Sequence, residues 1–176
     1  MARRLPAPRP VRALALGLAL LAAGSTAPSA ATTEPGSWTW PVVGPILVGF
    51  APPDSPYGSG HRGIDIAAPL GSEVLAVADG AVSFAGPVGG RRFVTIDHGD
   101  GVRSTVSFVE DLRVRTGDVV VAGQVVAVSG TGHVDTGVPH VHFGVRIGDT
   151  YVDPLAYLAP PDVSSFIRLA PCCPAP

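Results

Sequence analysis

Short apolar runs rich in Val and Ile, separated by clusters of Gly, Asp and Pro, make up most of the chain after residue 40. Such runs are typical of β-strands, and the clusters between them are typical of tight turns. The pattern predicts two similar hairpins, Glu73 to Phe84 and Val119 to Val128, on either side of a third from Phe93 to Phe108. The first contains Asp79-Gly80, a strong signal for a two-residue turn. We therefore expect an all-β fold of short antiparallel strands, with a smaller second sheet and no long helix beyond the N-terminal segment.

Two histidines lie within the apolar run near the C-terminal end, Pro139 to Val145. Side chains two residues apart in a strand point to the same face, so His140 and His142 are expected to present two imidazoles side by side. Neutral imidazole is a good zinc ligand, and a strand is a rigid support for a metal site. Two polar residues on a solvated sheet face would give the same pattern, so this run alone does not decide between the two interpretations.

A second polar pair, His61 and Asp65, follows a loop rich in Gly and Pro. Asp65 lies between Ile64 and Ile66, in a segment that has the pattern of a buried strand. A buried carboxylate is costly unless it is paired or coordinated to a metal. His61, Asp65 and His142 together would form a set of two histidines and one carboxylate, and three protein ligands with an open fourth position are the pattern of catalytic zinc.

These residues resemble the signature of the lysostaphin-like (LytM-type) zinc metallopeptidases, which is His-x-x-x-Asp early in the domain and His-x-His late. The two parts here are His61 to Asp65 and His140 to His142. The resemblance covers residues 57–158 and includes the turns near Gly117 and Gly123, which are also similar to the hairpins of lipoyl domains. It implies a fold of antiparallel β-sheets with a groove at the metal site.

The resemblance also implies roles for the site residues. His61, Asp65 and His142 would hold Zn²⁺, with a water molecule in the fourth position. His140 would act as the general base or stabilise the oxyanion. Phe108 departs from the family pattern, because family members usually carry a second catalytic histidine at this position.

Two residues are candidates to replace that missing histidine. His133 lies in a loop that is roughly two residues longer than is usual in the family, and Glu110 follows Phe108 closely. We expect neither to substitute, because neither occupies the matched position and loop histidines are often merely exposed.

Members of this family cut peptide bonds in the stems or cross-bridges of peptidoglycan. The resemblance therefore implies a secreted zinc metalloendopeptidase acting on peptidoglycan peptides, with reduced activity because Phe108 can neither donate a hydrogen bond nor carry charge. The alternative is a non-catalytic module of the same family that binds the cell wall or regulates a wall amidase. Modules that have lost catalysis usually lose metal ligands, and this chain keeps all three.

Composition excludes several other classes. The chain has 12 arginines, no lysine and a formal net charge of −2, and no basic cluster resembles a nucleic-acid-binding patch, so no nucleic-acid partner is expected. A lipoyl or biotinyl carrier needs an acceptor lysine, which the chain lacks. A cupin-like oxygenase would also use two histidines and a carboxylate, around iron, but its usual spacing differs.

Residues 1–31 have the pattern of a secretory signal peptide, with four arginines before the apolar run Ala13 to Ala23. That run is shorter than the about 20 apolar residues that span a bilayer. Small residues before Thr32 offer a cleavage site, although an uncleaved N-terminal anchor is an alternative. Cleavage would remove four arginines and no acidic residue, which leaves a net charge of −6. The product would be extracellular or associated with the cell wall, with no stable membrane insertion.

We divide the chain into a signal peptide (1–31), a linker and lead-in segment (32–56), the LytM-type metallopeptidase domain (57–158) and a Pro-rich disordered tail (159–176). The tail carries the only two cysteines, which are adjacent and too far along the chain to cross-link the core. Two interpretations stay open: the favoured one is a dispensable feature of the tail, and the other is a vicinal disulfide, or a pairing with another chain, in an oxidising compartment.

Overall fold

The computed structural model of the protein describes residues 34–55, 58–133 and 137–160. The predicted signal peptide and both cysteines lie outside these ranges, as does nearly all of the predicted tail. Within them, the elements in chain order are β1 (Ile46–Val48), β2 (Ile64–Ala67), β3 (Glu73–Leu75), β4 (Gly80–Val88), β5 (Arg91–Asp97), β6 (Val102–Leu112), β7 (Val119–Val120), β8 (Val125–Ser129), β9 (His140–Ile147), β10 (Thr150–Val152) and a 3₁₀-helix (Pro154–Ala156). Across the described part of the chain, no helix has the length and apolar character needed to cross a bilayer.

All ten strands belong to one hydrogen-bonded sheet with the main order β1-β2-β9-β6-β5-β4-β7. Every strand pair in it is antiparallel. Strand β10 pairs with β9, while β8 leaves the main path at β6 and pairs with β3. The predicted all-β antiparallel fold is confirmed, and the smaller second sheet that we expected is a branch of the main sheet.

Two of the three predicted hairpins are wrong. The strands of Glu73 to Phe84 do not pair with each other, and neither do those of Val119 to Val128: β3 pairs with β8, and β4 pairs with β7. The reason lies in the residues between the strands, since Ala76 to Ala78 are buried and cross the core instead of turning back. The Asp79 carboxylate joins the two segments by accepting a hydrogen bond from the Ala122 N–H at 2.8 Å.

The third predicted hairpin is present, because β5 and β6 pair on either side of the Gly99-Asp100-Gly101 turn. Next to this turn, His98 is buried and holds the core together. One of its ring nitrogens bonds the Asp79 carbonyl at 2.7 Å and the other bonds the Ser104 hydroxyl at 2.7 Å. Burial lowers the pKa of His98, against the opposing effect of the Asp79 contact, and so favours the neutral ring.

The register of the central strands lays out one face of the sheet as rows of directly opposed residues. The first row runs Phe93, Ser107, His142, Asp65 across β5, β6, β9 and β2. Two residues further along the strands the row is Thr95, Thr105, Gly144, and two further again it is Asp97, Arg103, Arg146, Tyr151. All of these residues except Asp65 and Asp97 line a cleft of about 480 Å³ and form its floor.

Candidate metal centre

Four side chains converge at one end of this cleft. Asp65 lies on β2 directly opposite His142 on β9, and His61 lies three residues before the start of β2. His133 comes from the loop before β9. Each of the four offers one nitrogen or carboxylate oxygen, and these atoms all lie within 4.8 Å of one another, an arrangement that can hold a metal ion. The sequence-predicted set of His61, Asp65 and His142 is therefore brought together, with His133 added.

The three sequence-predicted donor atoms form a nearly equilateral triangle. His61 Nε2 lies 3.1 Å from Asp65 Oδ1 and 3.1 Å from His142 Nδ1, and the third side, from His142 Nδ1 to Asp65 Oδ1, is 2.9 Å. Ligand atoms bound at about 2.0–2.2 Å to a tetrahedral zinc ion lie about 3.3–3.6 Å apart, from the tetrahedral angle. The triangle thus needs an expansion of only a few tenths of an ångström to match zinc.

The hydrogen bond of His61 Nδ1 determines which ring nitrogen carries the proton and which one faces Asp65. His61 Nδ1 lies 2.8 Å from the Gly49 carbonyl oxygen, which can only accept, so Nδ1 donates. In the neutral ring, Nε2 then carries a lone pair that faces the Asp65 carboxylate. Two lone pairs 3.1 Å apart repel unless a proton or a cation lies between them. A backbone carbonyl behind the ring is also the usual support of a metal-binding histidine.

Asp65 is fully buried, and its second oxygen is unsatisfied. Oδ2 has no hydrogen-bond partner among the described residues, although buried carboxylate oxygens are normally paired. Burial on its own would raise the pKa of Asp65, but hydrogen bonds from His142 and His133 and the nearby His61 lower it to about 2. A buried, ionised carboxylate with an unpaired oxygen fits a cation, so these residues are suited to hold Zn²⁺.

His133 is the residue of the cluster that sequence reasoning missed. We expected an exposed loop histidine, but its side chain is only 19% exposed and its Nε2 lies 3.1 Å from Asp65 Oδ1. Burial lowers its pKa, so desolvation favours the neutral ring. Glu110, the other candidate replacement, is exposed and does not belong to the cluster. The available signal was position, since the loop of His133 leads directly into the strand that carries His142.

The Phe108 ring packs against the His133 ring. Phe108 is the extra residue of a β-bulge in β6, since Ser107 opposes Phe93 while Val109 opposes Arg92. Its φ is 63°, a left-handed value that costs a non-glycine residue about 1–3 kcal/mol. Bulges commonly redirect a side chain beside a functional site. Here the bulge directs the Phe108 ring into the cleft, where it lies 4.5 Å, centroid to centroid, from the His133 ring.

His140 lies beside the cluster but not in it. The ring is fully buried; its Nδ1 donates to the Val138 carbonyl at 2.8 Å, and its Nε2 accepts from the His133 backbone N–H at 3.2 Å. Gly132 packs against it so closely that a Cβ there would lie 2.2 Å from the ring. In this arrangement His140 fixes the position of His133, and its predicted catalytic role stays a prediction.

Comparison with known proteins agrees with this geometry. The sequence profile of peptidase family M23 matches residues 59–154, which include the whole cluster. The chain is 33% identical over 146 residues to "Murein hydrolase activator NlpD" of Salmonella dublin. It is 38% identical over 125 residues to "Lipoprotein NlpD/LppB homolog" of Pseudomonas aeruginosa. The alignments cover 76% and 70% of this chain but only 37% and 40% of the relatives, so the chain spans less than half the length of these curated relatives.

Solved structures show the same fold. A mutant of the catalytic domain of the prophage-encoded M23 protein EnpA from Enterococcus faecalis superposes with a TM-score of 0.57 and 28% identity, covering 69% of this chain and 98% of that one. The catalytic domain of lysostaphin from Staphylococcus simulans gives a TM-score of 0.55 and 27% identity, covering 63% and 89%. The likeness to lysostaphin-like peptidases that the sequence motifs predict is confirmed.

Proposed function

Since the chain belongs to peptidase family M23, we propose that it is a zinc metalloendopeptidase that hydrolyses peptide bonds in the stems or cross-bridges of peptidoglycan. The observation that carries the proposal is the triangle of donor atoms around the buried Asp65 carboxylate, at the end of an open cleft. The named relatives are murein hydrolase activators and envelope lipoproteins, which supports a function at the cell envelope.

In this proposal His61, Asp65 and His142 are the metal ligands. When bound, zinc would supply a water molecule with a pKa near 7 and would polarise the scissile carbonyl. The chain's own contribution is to hold the three donors at fixed separation, by the β2–β9 register and by the carbonyl behind His61. The part of the cleft floor formed by β5 and β6 leaves room for an extended peptide beside the three donor residues.

His133 is the residue that we propose in place of the missing family histidine. Phe108 occupies the matched backbone position, and the His133 imidazole stacks on its ring and reaches the Asp65 carboxylate. An imidazole held there is able to hydrogen-bond the reacting water or the oxyanion. His140 accepts a hydrogen bond from the His133 backbone N–H and would then position His133, in addition to any direct role as a base.

The experiment that tests the proposal is incubation of the zinc-loaded protein with purified peptidoglycan, followed by mass spectrometry of the released fragments. We expect peptides cut at one type of bond. The matched control is His142→Ala, which removes one corner of the donor triangle while leaving the strand in place. Equal release by the protein and the control, or no release with zinc fully bound, would reject the peptidase proposal.

A second candidate function is activation of a separate wall amidase, without hydrolysis by this chain. The observations that favour it are the similarity to murein hydrolase activators and the phenylalanine at position 108. In that case the protein would raise the rate at which an amidase hydrolyses peptidoglycan, and the His142→Ala variant would raise the amidase rate to the same extent. Only the peptidase proposal requires the metal ligands, so this pair of assays separates the two functions.

A further inference from the structure

Two arginines face each other directly at the far end of the cleft floor. Arg103 on β6 and Arg146 on β9 are opposed residues of the antiparallel ladder. Both line the cleft, and so does Arg62. Like charges in directly opposed positions destabilise a sheet. An arrangement that disfavours the fold and faces an open cleft indicates a binding role for the pair.

The positive charge of this arginine pair is only partly neutralised. Arg103 Nε donates to Asp97 Oδ2 at 3.2 Å, and the other Asp97 oxygen accepts from the Gly99 N–H. Within the described residues, Arg146 forms no ion pair with a carboxylate, and its guanidinium lies 6.0 Å from the centre of the Tyr151 ring. The described cleft lining contains no aspartate or glutamate, although acidic residues outnumber arginines in the whole chain, 14 to 12.

The arginine pair lies in line with the metal centre. Arg146 follows His142 by four residues on the same strand and the same face. Four residues of an antiparallel strand span about 13 Å. An extended peptide on the cleft floor, with one peptide bond at the cluster, therefore brings a group within about four residues of that bond to the guanidinium groups.

We propose that Arg103 and Arg146 form a carboxylate-binding subsite, and that the cleft takes acidic peptides. Arginine matches the geometry of a carboxylate through two parallel N–H donors, which makes such contacts both stronger and more directional than those of neutral groups. The ligand is a side-chain or C-terminal carboxylate of the bound peptide. The position of the subsite relative to a cleaved bond rests on the proposed function, whereas the binding itself requires neither zinc nor hydrolysis.

The test is a binding titration of the protein, followed by NMR, with a synthetic peptidoglycan stem peptide and the same peptide with every carboxylate converted to an amide. We expect the amidated peptide to bind at least about tenfold more weakly, in the range of charge-assisted hydrogen bonds. Two singly amidated peptides, one at the C-terminus and one at the side chain, identify which carboxylate is held. Equal binding of the acidic and fully amidated peptides would overturn the proposal.

Variants locate the effect. Arg146→Gln should weaken binding of the acidic peptide about tenfold and leave binding of the amidated peptide unchanged. Arg113→Gln is the matched control, because it removes the same charge from an exposed arginine that pairs with Asp111 outside the cleft. Arg146→Lys keeps the charge but not the two parallel donors, and an intermediate affinity is expected. The subsite assignment is wrong if Arg146→Gln weakens binding of both peptides equally, or if Arg113→Gln weakens binding of the acidic peptide as much as Arg146→Gln does.

The outcomes also separate this inference from the proposed function. Selective binding of the acidic peptide without any cleavage would support the subsite and reject the peptidase. Cleavage of the acidic and amidated peptides at equal rates and with equal affinity would support the peptidase and reject the subsite.

Discussion

Replacement of His133 by alanine is the sharpest test of how the site functions without a histidine at position 108. The substitution removes the Nε2 atom 3.1 Å from Asp65 Oδ1 and the ring that stacks on Phe108. It leaves the triangle of His61, Asp65 and His142 untouched. Loss of one hydrogen-bonding group at a reacting centre typically lowers kcat roughly 10²–10³-fold. We expect a loss in this range, with KM nearly unchanged.

Zinc affinity distinguishes this role from that of a metal ligand. Removal of a group that only contacts a ligand weakens metal binding roughly 10–100-fold. A structural zinc site is worth about 10–16 kcal/mol in total, so each of its four ligands contributes about 2.5–4 kcal/mol, or roughly 10²–10³-fold in affinity. The assay is therefore kcat on a peptidoglycan stem peptide at saturating zinc, together with the zinc dissociation constant from competition with a chelator.

Two further variants complete the design. Glu110→Gln is the matched control, since Glu110 is exposed and outside the cluster, and it should retain full activity. The double variant His133→Ala with Phe108→His restores an imidazole at the position that the family pattern gives to histidine, and it should recover part of the lost kcat. Full activity of His133→Ala would refute the reasoning. A zinc loss as large as that of His142→Ala would instead make His133 a fourth ligand.

Three other predictions follow, two from the structure and one from the sequence. His142→Ala should weaken zinc binding at least roughly 10²-fold, whereas His140→Ala should leave it largely intact, measured by chelator competition; equal losses would contradict the ligand assignment. Because the folded pKa of His98 lies below its usual 6.5, the metal-free protein should lose stability as pH falls from about 6.5 toward that lower pKa, measured by urea unfolding. His98→Gln should reduce this pH dependence, and an unchanged slope would argue against it. N-terminal sequencing of secreted protein should give a mature start near Thr32, whereas an intact Met1 on a membrane-bound product would contradict cleavage.

The strand-rich fold was predictable because its signals are local. Apolar β-branched runs and the Gly99-Asp100-Gly101 turn determine their own structure, and the β5–β6 hairpin followed from them. Strand partners were less predictable, because β3, β4, β7 and β8 have similar apolar patterns and each is able to pair with several others. The choice depends on the burial of Ala76 to Ala78, which is a property of the whole core and not of the turn residues beside them.

The candidate site divides in the same way. Asp65 and His142 lie on strands, and the resemblance of their motifs to the family signature predicted that they come together with His61. His133 lies on a loop, where the position of a residue in the sequence does not predict the direction of its side chain. Its place in the cluster depends on two contacts outside the loop segment itself. One is the hydrogen bond from its backbone to His140, and the other is the stack on Phe108, which itself requires a bulge in β6.

The same contacts bear on the choice between a peptidase and a non-catalytic module. A fold that only bound the cell wall would have no need to bury Asp65 with one oxygen unsatisfied, a feature that costs about 1–3 kcal/mol. Nor would it need the Gly49 carbonyl to turn the His61 lone pair toward that carboxylate, since the neutral ring and the carboxylate repel without a cation between them. The left-handed Phe108 adds a further local cost on the same side of the cluster. A cation in the triangle offsets the first two of these costs, and of the two candidate functions only hydrolysis depends on that cation.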